Sequence, residues 1–251
     1  MTPPDRIYTA ALVIIGDEIL SGRTQDANLA YLAKWLNVQG IRLREARVVP
    51  DIEAEIVEAV NACRARHDYV FTTGGIGPTH DDITIDAIAK AFGVPVIVHP
   101  EAEAMLRAYY GDALTDARLR MARVPEGAEL VPNALSAAPG IRIKNVYILA
   151  GVPGVARAML HALDGRLEGG RPVLSRTIGA KVGESTVADL LAATEAAHPG
   201  VQVGSYPFWR GGEPNANFVI RSTDPQAMNL AAEAILKGLA EMGLDPVDGE
   251  I

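Results

Sequence analysis

The stretch that decides the fold runs from position 72 to position 82 and reads Thr72-Thr73-Gly74-Gly75-Ile76-Gly77-Pro78-Thr79-His80-Asp81-Asp82. It continues a short apolar run, Tyr69 to Thr73, that is typical of a buried strand. It precedes a segment with apolar residues at helical spacing, and we predict that this helix begins at Asp81 or Asp82. A strand that passes through glycines into a helix is typical of a parallel α/β sheet, in which ligands bind at the carboxyl ends of the strands.

The segments on either side of this stretch also alternate between strand and helix. Ala10 to Ile15 and Ile41 to Val49 are predicted strands, each followed by a helix, the first starting at Asp26 and the second capped by Asp51. Further predicted elements are a strand at Val94 to Val98, a helix at Glu101 to Tyr110, helix and irregular connections over 111–145, a strand at Tyr147 to Ala150 and a helix ending at Leu163. This order predicts a three-layer αβα domain with a mostly parallel sheet over residues 1–168.

The pattern changes near Gly169, where a short run of glycine and proline separates two kinds of sequence. The predicted elements after it are a strand (Val173 to Ala180), a helix (Ser185 to Ala197), two strands (Val201 to Tyr206 and Asn217 to Ser222) and a helix (Pro225 to Gly243). A βαββα order of this length predicts a small α+β subdomain over residues 169–251.

The composition excludes several classes of protein. With 49% hydrophobic and 22% charged residues the chain is globular, and its net charge of −8 argues against non-specific binding to nucleic acid. Its apolar runs are far shorter than the ~20 residues that a membrane helix needs. Cys63 is the single cysteine, and the first six residues lack the charged-then-apolar pattern of a signal peptide. We therefore expect a soluble, cytoplasmic protein that binds neither nucleic acid nor membrane.

The glycine-rich stretch has two interpretations. Glycines let a backbone approach a ligand closely, and free amides at a helix start favour a phosphate. Asp81 and Asp82 would repel that phosphate unless a divalent cation lies between them, and Mg²⁺ is bound in this way by carboxylate and phosphate oxygens. In the other interpretation the stretch is a tight turn whose aspartate caps the helix. Asp17 and Glu18, which follow the first strand, are likewise either cleft residues or a solvated pair at a helix start.

The stretch from Thr73 to Asp82 closely resembles the signature of the MoaB/Mog molybdopterin-binding domain family. The segment Gly16-Asp17-Glu18-Ile19-Leu20-Ser21-Gly22, followed by Asp26-Ala27-Asn28, is similar to the opening motif of its competence/damage-inducible protein A (CinA) branch. Segments in the same order that resemble this branch are Val124-Pro125-Glu126-Gly127-Ala128, Asn133, Ala138-Pro139-Gly140, Gly151-Val152-Pro153, Gly183-Glu184-Ser185 and Gly204-Ser205-Tyr206-Pro207. The resemblance spans nearly the whole chain and implies a short form without the nicotinamide-nucleotide deamidase domain that ends full-length CinA proteins.

The resemblance implies divalent-metal-dependent hydrolysis of a nucleotide diphosphate linkage, as in ADP-ribose pyrophosphatase activity. It implies that Asp51 and Asp82 are catalytic and face each other, and that Asp82 and Asp17 hold the metal, which is Mg²⁺, Co²⁺ or Ni²⁺. The implied ligand-binding residues are Gly16, Asp17, Glu18, Asn28, Thr73, Gly74, Gly75, Gly77, Pro78, Thr79, Asp81, Asn133, Gly140, Gly151 and Pro153. The expected ligand is a small-molecule nucleotide or pterin phosphate, with molybdopterin among the candidates, and the expected assembly is a homodimer.

Two other functions remain open at this point. The chain can bind molybdopterin or a related pterin without converting it, or it can adenylylate molybdopterin as the Mog relatives do. Ala150 stands where the family has a proline, and Gly154, Val155 and Ala156 stand where the family has Arg-Glu-Met. One carboxylate is therefore missing from the rim of the expected site, which favours the binding module.

Overall fold

The structure, a computed structural model, describes residues 6–251 and divides into two units that meet between Gly170 and Arg171. Residues 1–5, on which the expectation about a signal peptide rests, lie outside the described residues. The strands of the first unit are β1 (Tyr8–Ile15), β2 (Ile41–Val49), β3 (Tyr69–Thr73), β4 (Val96–Val98), β5 (Arg123–Pro125), β6 (Glu129–Val131), β7 (Gly140–Ile143) and β8 (Val146–Leu149). Its helices are α1 (Asp17–Leu20), α2 (Asn28–Val38), α3 (Glu53–Arg66), α4 (Thr84–Phe92), α5 (Pro100–Tyr110), α6 (Asp116–Leu119) and α7 (Pro153–His161).

The large sheet of the first unit has the strand order β2-β1-β3-β8-β7-β6. The first four strands are parallel, whereas β7 is antiparallel to β8 and β6 is antiparallel to β7. Side chains of β1 alternate between two cores: Ala11 and Val13 pack towards α3 and α4, and Ala10 and Leu12 pack towards α2 and α7. The predicted three-layer αβα architecture with a mostly parallel sheet is confirmed.

Three predicted element positions are wrong. The strand predicted at Val94 to Val98 is only three residues long and pairs with β5 in a separate two-stranded sheet. The stretch predicted as helix and irregular connections supplies β5, β6 and β7. These strands have three or four residues each, which is too short for a periodic pattern. The helix predicted to begin at Asp26 begins at Asn28, although the Asp26 carboxylate still accepts the Leu29 N–H.

Two predicted helix caps are also wrong, and both concern candidate site residues. Helix α4 begins at Thr84 rather than at Asp81 or Asp82, because the Thr84 N–H donates to the Gly75 carbonyl and so extends the loop. Helix α3 is preceded by Ile52, not capped by Asp51. The Asp51 carboxylate instead accepts a hydrogen bond from the loop after β1, as described below for the site.

The second unit contains β9 (Leu174–Ala180), α8 (Glu184–Ala197), β10 (Gln202–Arg210), β11 (Glu213–Ser222), α9 (Pro225–Glu241) and β12 (Val247–Asp248). Its antiparallel sheet has the order β10-β11-β9-β12, and one face packs against the two helices through Ile178, Phe218 and Ile235. The predicted βαββα order is confirmed, with the two-residue β12 as an addition. None of the helices described in either unit is long and apolar enough to cross a membrane.

A carboxylate at the end of α7 joins this helix to α2. The Trp35 indole N–H donates to Asp164 Oδ1 at 2.6 Å, and a ring nitrogen of His161 lies 3.2 Å from Asp164 Oδ2. The indole hydrogen bond, and then His161, lower the pKa of the Asp164 carboxyl from its ordinary value of 3.8. A carboxyl whose pKa is lowered by folding stabilises the folded state above its unfolded pKa, and that contribution is lost as the pH falls.

We therefore expect Asp164→Asn to unfold at a lower urea concentration than the wild type at pH 7. The difference should shrink below about pH 4, where the wild-type carboxyl becomes protonated in the unfolded state. Urea denaturation at both pH values checks this expectation. A difference that is the same at pH 3 and pH 7 would show that the charge on Asp164 does not contribute.

Candidate ligand-binding site

Five loops meet at one edge of the large sheet. The loops after β1, β2, β3 and β8 lie at the carboxyl ends of four parallel strands. Strand β6 runs in the same direction as β8, because β7 between them is antiparallel to both, so the loop over 132–139 reaches this edge as well. This is the edge at which open α/β sheets bind ligands.

Gly74 lies in close contact with the end of β1 and with the loop after β8. Its φ is +105°, and a Cβ atom at this position would lie 2.0 Å from the carbonyl oxygen of Ile15. A Cβ at Gly151 would in turn lie 3.2 Å from Gly74 Cα. The end of β1 and the loops after β3 and β8 therefore touch through their backbones, and only glycine at position 74 allows this approach.

The first cleft at this edge has a volume of about 70 Å³. Predicted site residues that line it are Glu18, Asn28, Thr73, Gly74, Gly151 and Pro153. The amide of Asn28 donates to the Gly151 carbonyl at 2.9 Å, which fixes α2 against the loop after β8. The Thr73 side chain is 3% exposed, and its hydroxyl has no hydrogen-bond partner among residues 6–251. A buried hydroxyl without a partner costs free energy.

Carboxylates from three loops lie beside this cleft. The Asp17 N–H donates to Asp51 Oδ2 at 3.0 Å, which joins the loops after β1 and β2. Partial burial raises the pKa of the Asp51 carboxyl, and the charges of Asp17, Glu18 and Asp81 raise it further, whereas the Asp17 N–H lowers it. Negative charge therefore predominates at this edge, and it would repel a phosphate unless a cation lay between them.

The Asp82 carboxylate turns back onto the glycine-rich loop. Its Oδ2 accepts the Thr79 N–H at 2.8 Å and also the Thr79 hydroxyl. A Cβ at Gly77 would lie 2.6 Å from the same oxygen, so glycine makes room for this carboxylate. Asp82 is thus held by the loop rather than by a helix N-terminus, and one of its oxygens accepts no hydrogen bond from the described residues.

Several predicted site residues lie away from the first cleft. The amide group of Asn133 bonds within its own loop, donating to the Ser136 hydroxyl and the Ala138 carbonyl and accepting the Leu135 N–H. Gly140 is buried in the sheet between Met159 and Val131. The other predicted residues lie in the loops themselves. Gly16 lies against the Glu18 carboxylate and Gly75 lies against Thr84. The outer part of the glycine-rich loop contains Pro78, Thr79 and Asp81.

A second, much smaller cleft, with a volume of about 10 Å³, lies against Gly77 and Asp82 and includes residues that the sequence analysis did not identify. Arg120, Met121 and Arg123 line it, from a stretch predicted as helix and irregular connections. No periodicity or motif in the sequence marks these arginines, because their importance depends on which partners the fold gives them. Thr24, Gln25 and Asp26, which also line the first cleft, were not identified either. They could have been, because they lie in or next to the sequence motif that contains Asn28.

The donor atoms at this edge suit a divalent cation only in part. Carboxylate oxygens are the ligands that Mg²⁺ prefers. Within residues 6–251, however, no three His, Cys, Asp or Glu side chains form a group that could hold a metal ion. Asp82 lines the second cleft, whereas Glu18 lines the first, so the predicted pairing of Asp82 with Asp17 is not a preformed site. The residues fit a cation that is held by one or two carboxylates together with phosphate oxygens of a ligand.

Comparison with protein families gives one match for each unit. Residues 11–168 match a family described as a probable molybdopterin binding domain. Residues 172–248 match the family described as FAD synthase, middle domain. The matches agree with the division of the chain near Gly170.

Individual proteins are similar over most of the chain. A protein of Pyrobaculum calidifontis is 36% identical over 254 residues, which are 93% of this chain and 95% of that protein. A CinA-like protein of Desulfosudis oleivorans is 34% identical over 209 residues, 78% of this chain and 51% of that protein. The crystal structure of the protein CinA with unknown function from Thermoplasma acidophilum is 36% identical, with a TM-score of 0.61 over 64% of this chain and 98% of that one.

Proposed function

The chain belongs to the probable molybdopterin binding domain family, and on that premise we propose that its sheet edge binds a phosphorylated nucleotide or pterin and hydrolyses a nucleotide diphosphate linkage. The observation that carries the binding part is the first cleft, in which the buried Thr73 hydroxyl has no partner among the described residues. The match of the second unit to the middle domain of FAD synthase adds FAD, a dinucleotide with a diphosphate linkage, to ADP-ribose as a test substrate.

The proposed mechanism assigns simple roles to the residues of this edge. Asp82, with Asp17 or Asp51, would hold the divalent cation together with phosphate oxygens of the substrate. When bound, the cation would neutralise charge on the phosphoryl oxygens and make a bound water more acidic. The N–H groups of Gly75, Ile76 and Gly77 donate to no acceptor within residues 6–251. They would therefore be free to bind the phosphate and to stabilise the charge that develops on it.

Hydrolysis is tested by incubating the purified protein with ADP-ribose or FAD and added Mg²⁺, Co²⁺ or Ni²⁺. The proposal expects release of AMP, with ribose 5-phosphate from ADP-ribose and flavin mononucleotide from FAD. Omission of the metal should abolish the release. Intact substrates with every metal would contradict the hydrolase proposal and leave the second candidate, a module that binds a pterin or nucleotide without turnover. Gly154, Val155 and Ala156 favour that candidate, since they leave the rim without a family carboxylate.

Two neighbouring threonines allow a matched test of the first cleft. Thr72 and Thr73 are both buried with hydroxyls that lack partners in the described part of the chain, but only Thr73 lines the cleft. We expect Thr73→Val to weaken nucleotide binding about tenfold, since one hydrogen bond to a ligand is lost. Thr72→Val should leave the affinity unchanged, and both variants should be at least as stable as the wild type. Isothermal titration with AMP and urea denaturation measure the two quantities, and equal affinities for both variants would contradict the placement of the ligand.

A further inference from the structure

The second cleft differs from the first in its chemistry. Its walls combine the apolar side chains of Ile76, Ile85 and Ile141 with Gly77, Asp82 and two arginines. The glycine-rich loop separates the two clefts, since its beginning, Thr73 and Gly74, lines the first and its continuation through Gly77 lines the second. A ligand that crosses this loop therefore meets residues that line both clefts.

The two arginines of the second cleft are in different electrostatic situations. Arg123 forms a two-point ion pair with Asp86, with distances of 2.5 and 3.2 Å, so its charge is already compensated. Arg120 is partly buried, and its guanidinium makes no hydrogen bond or ion pair with any residue from 6 to 251, including Asp82 in the same cleft. A guanidinium has five N–H donors in a fixed planar arrangement. Partial burial deprives some of these donors of water, and an anion can accept hydrogen bonds from them instead.

We propose that Arg120 binds the diphosphate of a ligand that lies across the glycine-rich loop. Arg120 approaches the diphosphate from the side of the second cleft, and the free N–H groups of Gly75, Ile76 and Gly77 approach it from the loop. This inference rests on the ligand class of the proposed function but not on hydrolysis.

The test measures affinity with a probe that cannot be hydrolysed, the α,β-methylene analogue of ADP-ribose, by isothermal titration in the presence of Mg²⁺. We expect Arg120→Gln to weaken binding about tenfold to a hundredfold, the range for loss of hydrogen bonds between charged groups. Arg120→Lys keeps the charge but not the fork, so its affinity should lie between those of Arg120→Gln and the wild type. Arg118→Gln is the matched control, because Arg118 stacks on Tyr110 and lines neither cleft.

A second measurement determines the affinities for AMP and for ribose 5-phosphate, the two halves of ADP-ribose. We expect Arg120→Gln to weaken the binding of one half strongly and of the other little, because only one half carries the phosphate that Arg120 contacts. Unchanged affinity of Arg120→Gln for the analogue would overturn the inference, as would an equal loss in Arg118→Gln or a wild type that does not bind the analogue. A wild type that binds the analogue in the expected pattern, but leaves ADP-ribose intact, would contradict the hydrolase proposal alone.

Discussion

Replacing Asp82 with asparagine is expected to lower the turnover of ADP-ribose at least ~100-fold, the scale of a single electrostatic group in an active site. Asparagine keeps an oxygen that can accept the Thr79 N–H and hydroxyl, so the loop and the melting temperature should be retained. The variant removes only the negative charge that the proposal assigns to cation binding. The rate of AMP release with added metal, measured beside the melting temperature, separates the two effects.

The control for this variant is Asp112→Asn, which makes the same chemical change at an exposed position outside both clefts. It should retain wild-type turnover. Full activity in Asp82→Asn would show that the charge of Asp82 takes no part in the mechanism. A lower melting temperature with lost activity would instead indicate that the carboxylate charge holds the glycine-rich loop in place.

The largest effect on stability is expected for Gly74→Ala. The φ of +105° disfavours any Cβ, and the added atom would also meet the Ile15 carbonyl, which belongs to the neighbouring strand and cannot move alone. Backbone strain of about 1–2 kcal/mol and overpacking of a similar size together predict a loss of about 3 kcal/mol in the free energy of unfolding. Urea denaturation followed by Trp35 fluorescence, in a Trp209→Phe background, reports on the first unit alone, since Trp35 is buried there.

Gly93→Ala separates the two contributions to this loss. Gly93 also has a positive φ, +67°, but a Cβ there would meet nothing within 4 Å. The expected cost is the strain alone, about 1–2 kcal/mol. Equal losses in the two variants would show that the end of β1 and the loop after β3 can separate without penalty, contrary to the close contact at Gly74.

The parallel half of the fold could be predicted from the sequence because β1, β3 and β8 are runs of apolar, aromatic or β-branched residues. Strands β2 and β3 have the predicted bounds, and β1 and β8 differ from prediction by one or two residues at their ends. The antiparallel additions could not be predicted in the same way. Strand β6 is only three residues long, and its place in the sheet depends on pairing with β7, which no local pattern encodes.

The candidate site could likewise be predicted from the sequence only in part. The strand-end rule led to the glycine-rich loop and to Asp17 and Glu18, and the family resemblance added Asn28. The fold brings these residues to the same edge. The strand-end rule did not predict that Asp51 would accept an N–H from another loop instead of capping its own helix. Arg120 was missed because a charged residue without a partner can be recognised only when its neighbours in space are known.

The reversal at β7 places one wall of the second cleft on a separate excursion of the chain. In a minimal βαβ crossover, α4 would lead straight into β8. Here the chain departs after α4, forms α5, α6 and the strands from β4 to β7, and returns to the start of β8. Arg120 and Met121 belong to this detour, whereas Gly74 and Thr73 belong to the crossover itself. Exchange of the detour between homologous proteins would therefore change Arg120 and Met121 and leave the glycine-rich loop intact, so chimeric chains can be designed with junctions at Gly93 and Asn145.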